Sequence, residues 1–346
     1  MMRALLLALL LPVPGQAQEL TQHFGSGQVQ EIVFRSTTDL SVIAPVIESF
    51  IATRPTVTIT YEQWGSNALY SLTAQECASG QAGADLVLSS AVHQMVELVN
   101  EGCARPWRSA LTAALPDALR WRDELWGVTD EPAVMVYNRD LVPPGDIPRT
   151  RFDLLDLLRP SDSPYHGRIA TYDIEESGLG YLLAFADSVQ ATTFGGLMES
   201  FGRSGAVATC CSAEIIDAVA QGEYLIAYNV LGSYALARAA QDTRLGVVAP
   251  SDYTLVLSRA AMLPRGSAGG GADLLDFLLS PEGRRELERA LLIVPLDGGD
   301  GTALETPEAT QTIRRPIELS PALLILLDTH KRALFRARWR DSFPGR

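Results

Sequence analysis

The sequence predicts an α/β fold on two observations. Residues 31–50, EIVFRSTTDLSVIAPVIESF, pass from an apolar run suited to a buried strand (Ile32, Val33, Phe34) through a hydroxyl-rich turn. An amphipathic segment follows, with Leu40, Ile43, Val46, Ile47 and Phe50 at helical spacing. Residues 84–100 repeat that layout, with a buried strand at 84–88, the pair Ser89 and Ser90, and a helix at 92–100 stopped by Gly102. In such units the carboxyl end of the strand and the free N–H groups of the next helix converge on one point. Ser36, Thr37, Thr38, Ser89 and Ser90 are therefore candidate ligand contacts, and Asp39 is a candidate N-cap. Capping the helices is the other role open to the same hydroxyls.

The N-terminus sets the compartment. A basic lead, Met1-Met2-Arg3, precedes an apolar run at 4–11 that is too short to span a bilayer. Pro12-Val13-Pro14 breaks it, and Gly15-Gln16-Ala17 places small residues where a signal peptidase reads. Residues 1–17 read as a secretory signal peptide cleaved after Ala17. No cysteine follows the apolar run, so no lipid anchor is expected, and the mature chain is expected in the periplasm. Its 346 residues, 47% hydrophobic, suit one large α/β unit or two lobes. A net charge of −13 argues against a nucleic-acid partner. An oxidising compartment permits disulfides. Cys77 and Cys103 fall near the ends of consecutive helices and are expected to pair. For the adjacent Cys210 and Cys211 the expectation is two buried free thiols rather than a vicinal disulfide.

The remaining elements follow in order. VTITY at 57–61 is a strand, 63–66 a loop and 67–76 a helix. Residues 121–130 carry a lobe crossing into a strand at 133–138. A Pro-rich surface loop at 143–148, a helix at 152–158 and a strand near 166–170 come next. Glu176-Ser177-Gly178-Leu179-Gly180 opens a helix at 181–186, and a Ser among glycines at a helix start makes an N–H cradle for an anion. A helix at 213–220 ends at Gly222. The strand at 224–229, YLIAYN, carries Tyr228 and Asn229 at its end, followed by Gly232, Ser233 and Tyr234. A strand at 245–249 is followed by a return crossing at 252–256, helices at 272–279 and 284–291, a mobile Gly- and acid-rich stretch at 297–306, and a final helix at 321–339. Hinges are expected at 130–132 and 252–253. No GxSxG, HExxH, P-loop or strand-linked GxGxxG occurs, and no His has a Cys or a second His near it. No enzymatic activity, cofactor or metal centre is expected.

Taken together, the strings VFRSTTDL, ADLVLSSAVHQMVELVNEG, WGVTDEPAVMVYN, GRIATYD, AQGEYLIAYN and DFLLSPEGRREL resemble the periplasmic substrate-binding proteins of ABC importers, in the iron(III)-type branch. The resemblance runs from about Glu31 to about Leu296. It implies a type 2 periplasmic-binding-protein fold, with two lobes joined by crossing strands and a ligand between them. The lobes would comprise residues 28–130, then 131–250, then a return at 251–346. The iron binders of the branch carry adjacent tyrosines just after the strand matched here by 224–229. This chain reads Asn229-Val230-Leu231-Gly232-Ser233-Tyr234 there, without the pair.

The expected function is capture of a small polar, anionic solute, phosphorylated or carboxylate. Ser36, Thr37, Thr38, Ser89 and Ser90 would bind from one lobe, and Ser177, Gly178, Tyr228 and Asn229 from the other. The expected partner is an ABC permease or a sensor kinase, and the chain is expected to be a monomer. Ferric iron held by Tyr228, Tyr234 and an added anion is the second reading. A secreted α/β hydrolase is the third, disfavoured by the missing nucleophile and base.

Overall fold

The computed structural model describes residues 18–190, 192–296, 304–305 and 312–343. The leader at 1–17 and most of the stretch at 297–306 lie outside them. Along the chain come β1 (Gln18–Phe24), β2 (Gln30–Ser36), α1 (Leu40–Ala52), β3 (Val57–Trp64), α2 (Ser66–Ser79), β4 (Leu86–Ser89), α3 (Val92–Asn100), the single turn α4 (Ala110–Ala113), β5 (Arg120–Trp121) and β6 (Leu125–Gly127). The second group is β7 (Glu131–Asn138), α5 (Arg151–Leu158), β8 (Ile169–Tyr172), α6 (Gly178–Gln190), α7 (Phe194–Ser204), β9 (Val207–Thr209), α8 (Ser212–Gln221), β10 (Ile226–Leu231), α9 (Gly232–Ala239) and β11 (Leu245–Val248). The chain ends with β12 (Thr254–Leu257), β13 (Ala260–Met262), α10 (Gly270–Leu279), α11 (Pro281–Arg289), β14 (Leu304–Glu305), β15 (Arg314–Pro316), a 3-10 stretch Pro321–Leu327 and α12 (Thr329–Ser342).

Two mixed sheets result. The first runs β1-β3-β2-β4-β13-β6-β5, and the second β14-β11-β7-β10-β8-β9, with β12 pairing β7 and β15. β2 lies parallel to both β3 and β4, which pair with both its edges, and Ile32 and Phe34, on one face of the strand, are fully buried. α1 lays Ile43, Val46, Ile47 and Phe50 on this sheet, and Phe50 meets Phe277 of α10 edge-on at 5.3 Å.

Among the described strands the chain passes between the sheets three times, the last from β13 back to β14 of the second sheet. β6 leads to β7 through residues 128–130, and β12 leads back to β13 through Ser258 and Arg259. The first crossing falls between Gly127 and Glu131. The second lies six residues beyond Asp252. Asp252 and Tyr253 are tied into the second lobe, because the Arg151 guanidinium donates to Asp252 Oδ1 at 3.1 Å and to the Tyr253 carbonyl at 2.9 Å. The return segment 251–346 does not stay with one sheet: β14 pairs with β11 and α12 packs on α7.

Other departures have local causes. β3 extends past Tyr61 to Trp64 because β1 and β2 pair with it on both sides, and β1 itself has no strong apolar pattern. α7 begins with Gly195-Gly196, a poor helix start, and forms by burying Leu197, Met198 and Phe201 against α5 and α12. The final helix is broken in two: Asp328 ends the 3-10 stretch and caps α12, its Oδ1 accepting from the Lys331 N–H at 2.9 Å.

Cys77 in α2 and Cys103 after α3 form a disulfide. Its 26-residue separation restrains the unfolded chain by roughly 3 kcal/mol. Cys210 and Cys211 also form a disulfide, against the expectation of two buried thiols. They sit at the start of α8, where Cys210 is half-buried and Cys211 exposed, rather than in the core.

Candidate functional site

Between the two sheets lies a cavity of about 100 Å³. Six helices start at or beside it. Asp39 brings α1, Gly65 and Ser66 bring α2, Ser90 precedes α3, Ser177 precedes α6, Ser212 and Ala213 open α8, and Leu231 and Tyr234 belong to the start of α9. At five of these starts, α1, α2, α3, α8 and α9, no N-cap side chain bonds the first turn. Their N–H groups carry the positive end of each helix dipole toward the cavity.

The two strand–hydroxyl–helix units of the first lobe share one construction. The first hydroxyl turns back to the backbone two residues on: Ser36 Oγ accepts from the Thr38 N–H at 3.0 Å, and Ser89 Oγ accepts from the Ala91 N–H at 3.2 Å. The second faces the cavity: Thr37 Oγ1 and Ser90 Oγ lie 3.1 Å apart, and the Ser90 N–H donates to Thr37 Oγ1 at 3.0 Å. Thr37 and Ser90 thus line the cavity. Ser36, Thr38 and Ser89 are buried behind it, with Ser36 Oγ donating to Thr38 Oγ1 at 2.9 Å. Asp39 occupies the N-cap position of α1 without capping it. Its Oδ1 accepts from the Tyr234 hydroxyl at 3.3 Å and from Gln63 Nε2 at 3.4 Å, while Gln63 Oε1 takes the Leu40 N–H at 2.8 Å.

On the second lobe Ser177 lines the cavity and caps α6, its Oγ accepting from the Gly180 N–H at 3.0 Å. Gly178 serves the contact between lobes. Its N–H donates to Ser66 Oγ at 2.9 Å, and Asn67 Nδ2 donates to the Glu176 carbonyl at 2.8 Å. Gln94 Nε2 in turn donates to Asn67 Oδ1 at 2.7 Å. With the Asp39 N–H donating to the Tyr234 hydroxyl at 3.0 Å, these bonds hold the two lobes shut.

Tyr228 and Asn229 do not reach the cavity. The β10–β7 register shifts between Ala227 and Val230, and Asn229 has φ +63°. This bulge directs the Tyr228 hydroxyl to a buried group on the other side, where it bonds Asp187 and receives Arg151 Nε at 2.8 Å. The strand continues to Leu231, so Leu231 and Tyr234 stand at the cavity end instead.

The cavity also holds groups that sequence reading did not single out. Arg259, at the return crossing, has a 1% exposed side chain and pairs with Glu131 at the outgoing one, Nε to Oε1 at 2.8 Å and Nη2 to Oε2 at 3.1 Å. Its Nη1 donates to the Thr37 carbonyl at 3.3 Å. Glu131 is further held by the hydroxyls of Thr129 and Ser233. The ion pair therefore clasps both crossing strands and presents the guanidinium edge to the cavity. Glu19 and Glu176, both exposed, stand at the mouth. Burial holds the Asp39 carboxyl above its ordinary pKa, against the opposing pull of the Tyr234 hydroxyl and Arg259.

A family described as bacterial extracellular solute-binding protein matches residues 41–290. The chain belongs to this family. The substrate-binding protein of an ABC transporter from Agrobacterium tumefaciens is 31% identical over 94% of this chain and 98% of its own, with a TM-score of 0.84. Iron-bound HitA from Pseudomonas aeruginosa has the same fold at 18% identity, covering 90% of this chain and 99% of its own, with a TM-score of 0.68. So does the periplasmic binding protein AfuA from Actinobacillus pleuropneumoniae with fructose-6-phosphate bound, at 14% identity, 92% and 100% coverage and a TM-score of 0.69. None of the curated protein sequences matches. The two sheets flanked by helices are those of the type 2 periplasmic-binding-protein fold.

This solute-binding protein does not bring Tyr228 and Tyr234 together. Of the two only Tyr234 lines the cavity, while the Tyr228 hydroxyl is buried against Asp187 and Arg151. Among its described residues no helix is long and apolar enough to cross a membrane.

Proposed function

We propose that this solute-binding protein captures a small organic anion, phosphorylated or carboxylate and bearing hydroxyl groups, in the periplasm after loss of residues 1–17. It closes two lobes on the solute without chemical change and delivers it, as a monomer, to the permease of an ABC transporter. One observation carries the reading: helix starts from both lobes, four of them (α2, α3, α8 and α9) with no side chain bonding the first turn, converge on a cavity that Arg259 borders. Each such terminus favours an anion by about 0.3–1 kcal/mol, more where water is excluded. Thr37, Ser90 and Ser177 add hydroxyl donors. The charge of Arg259 is matched by Glu131, so the anion is held mostly by dipoles and can be released. Glu19 and Glu176 at the mouth would repel a bare anion but accept hydrogen bonds from hydroxyls on the same solute. Kinship with an ABC transporter's binding protein and the AfuA fold with its sugar phosphate support the same assignment.

Asp39 supplies the test. Its carboxylate, half-buried beside Arg259, opposes the bound anion once ionised, and its pKa lies above 3.8. A solute anion nearby raises that pKa further, so binding takes up protons and affinity increases as pH falls from neutrality toward the raised value. Calorimetric titration with fructose 6-phosphate across that range should show wild type losing affinity with rising pH more steeply than Asp39→Asn. At neutral pH the variant should bind roughly tenfold tighter. Equal slopes and equal affinities would place the anion elsewhere.

A further inference from the structure

The Cys210–Cys211 disulfide lines the cavity, and Cys211 is the N-cap residue of α8. Ser212, next in the chain, is bonded through its hydroxyl to Tyr172, whose own oxygen accepts the Leu231 N–H at 3.3 Å. The sulfur pair is thereby tied to the ends of β8 and β10, neighbouring strands that open on the cavity from this lobe. Tyr172, Leu179 and Trp64 lie in the same cavity lining. One part of the wall is therefore helix N–H groups and hydroxyls, and another is sulfur, ring and methyl surface.

A bond between adjacent residues closes no loop, so it barely restrains the unfolded chain. Cys77–Cys103 is the opposite case, since it spans 26 residues and lies away from the cavity. The Cys210–Cys211 bond acts instead on what the wall presents. It removes two S–H donors, prevents the two side chains from turning apart, and leaves polarisable sulfur that packs on C–H and ring surface. An inorganic anion has no apolar face for such a wall. An organic anion has one.

We propose that the Cys210–Cys211 disulfide is a specificity-determining contact that takes the carbon face of an organic anion and selects it over inorganic phosphate. This rests on the anion reading above and adds the feature that discriminates among anions. The expected preference is about tenfold or more, the worth of one or two buried CH₂ groups.

The test uses the exported chain, residues 18–346, under non-reducing conditions, titrated calorimetrically with fructose 6-phosphate, citrate and inorganic phosphate. Wild type should bind at least one organic anion about tenfold more tightly than inorganic phosphate. Cys210→Ser/Cys211→Ser, which keeps Cys77–Cys103, should lose most of that preference, read as the ratio of its affinities for the organic anion and for inorganic phosphate. A cooperative thermal melt shows that the variant is folded. Should the variant fail to fold, mild reduction of wild type, with labelling confined to Cys210 and Cys211, should produce the same loss. An unchanged preference in the variant or in the selectively reduced protein overturns the inference and leaves the anion reading standing. Wild type that binds inorganic phosphate at least as tightly as both organic anions does the same. Wild type that binds none of the three anions overturns both.

Discussion

Gly178→Val should hold the lobes apart and weaken binding of an organic anion by about one to two powers of ten while leaving the protein folded. In the closed arrangement a Cβ at Gly178 would lie 2.8 Å from Gln94 Nε2, 3.0 Å from Asn67 Oδ1 and 3.1 Å from Ala91 Cβ. All three belong to the first lobe, and Gly178 opens α6 of the second. The amide ends can swing away, but the Ala91 methyl on its backbone cannot. Overpacking costs about 1–3 kcal/mol, and here it falls only on the closed state. In the open state position 178 meets none of these groups, so the melting temperature of each lobe should change little. A cost borne by one of two states lowers apparent affinity by the same free energy. Solution scattering should show that fructose 6-phosphate compacts wild type and leaves Gly178→Val extended. Undiminished affinity in the variant would mean that the solute is bound without closure at this contact.

Arg259 should show a large effect of a different kind. Arg259→Met leaves the Glu131 carboxylate, 0% exposed, facing only the Thr129 and Ser233 hydroxyls. An unpaired buried carboxylate costs about 3–5 kcal/mol, so the melting temperature should fall steeply. Arg259→Met/Glu131→Gln removes that charge while keeping an acceptor oxygen for the hydroxyls, and most of the stability should return. Affinity should not return with it. A bond between the guanidinium and the solute anion contributes about 1.5–3 kcal/mol, or one to two powers of ten. Denaturant unfolding and calorimetry on the same pair of variants separate the two roles. A double variant with wild-type stability and wild-type affinity would make Arg259 a clasp for the crossing strands and nothing more.

The α/β class and the strand–hydroxyl–helix units were legible because they rest on local periodicity and turn chemistry. The choice within each hydroxyl pair was not. Ser36 and Ser89 end their strands and turn back to the backbone N–H two residues on, while Thr37 and Ser90, one residue on, reach the cavity and each other. Sequence shows both members of each pair and not the direction of either. Tyr228 reads as a strand-end residue, but a bulge extends the strand and turns the ring to Asp187. Tyr234, five residues beyond the expected end, takes its place. Arg259 carries no local signal at all. Its role depends on Glu131, 128 residues away, and on the first two chain crossings lying side by side. That Cys210 and Cys211 are joined and line the cavity is likewise something adjacency in the sequence does not reveal.

The central claim is that an organic anion with hydroxyl groups sits where the helix starts converge. Its most direct test is to purify the exported protein from its native compartment, denature it, and identify what it releases by mass spectrometry with parallel elemental analysis. The account predicts a phosphorylated or carboxylate solute bearing hydroxyls, close to one per chain, and no accompanying iron. Stoichiometric ferric iron, or a neutral or cationic solute in its place, would contradict it.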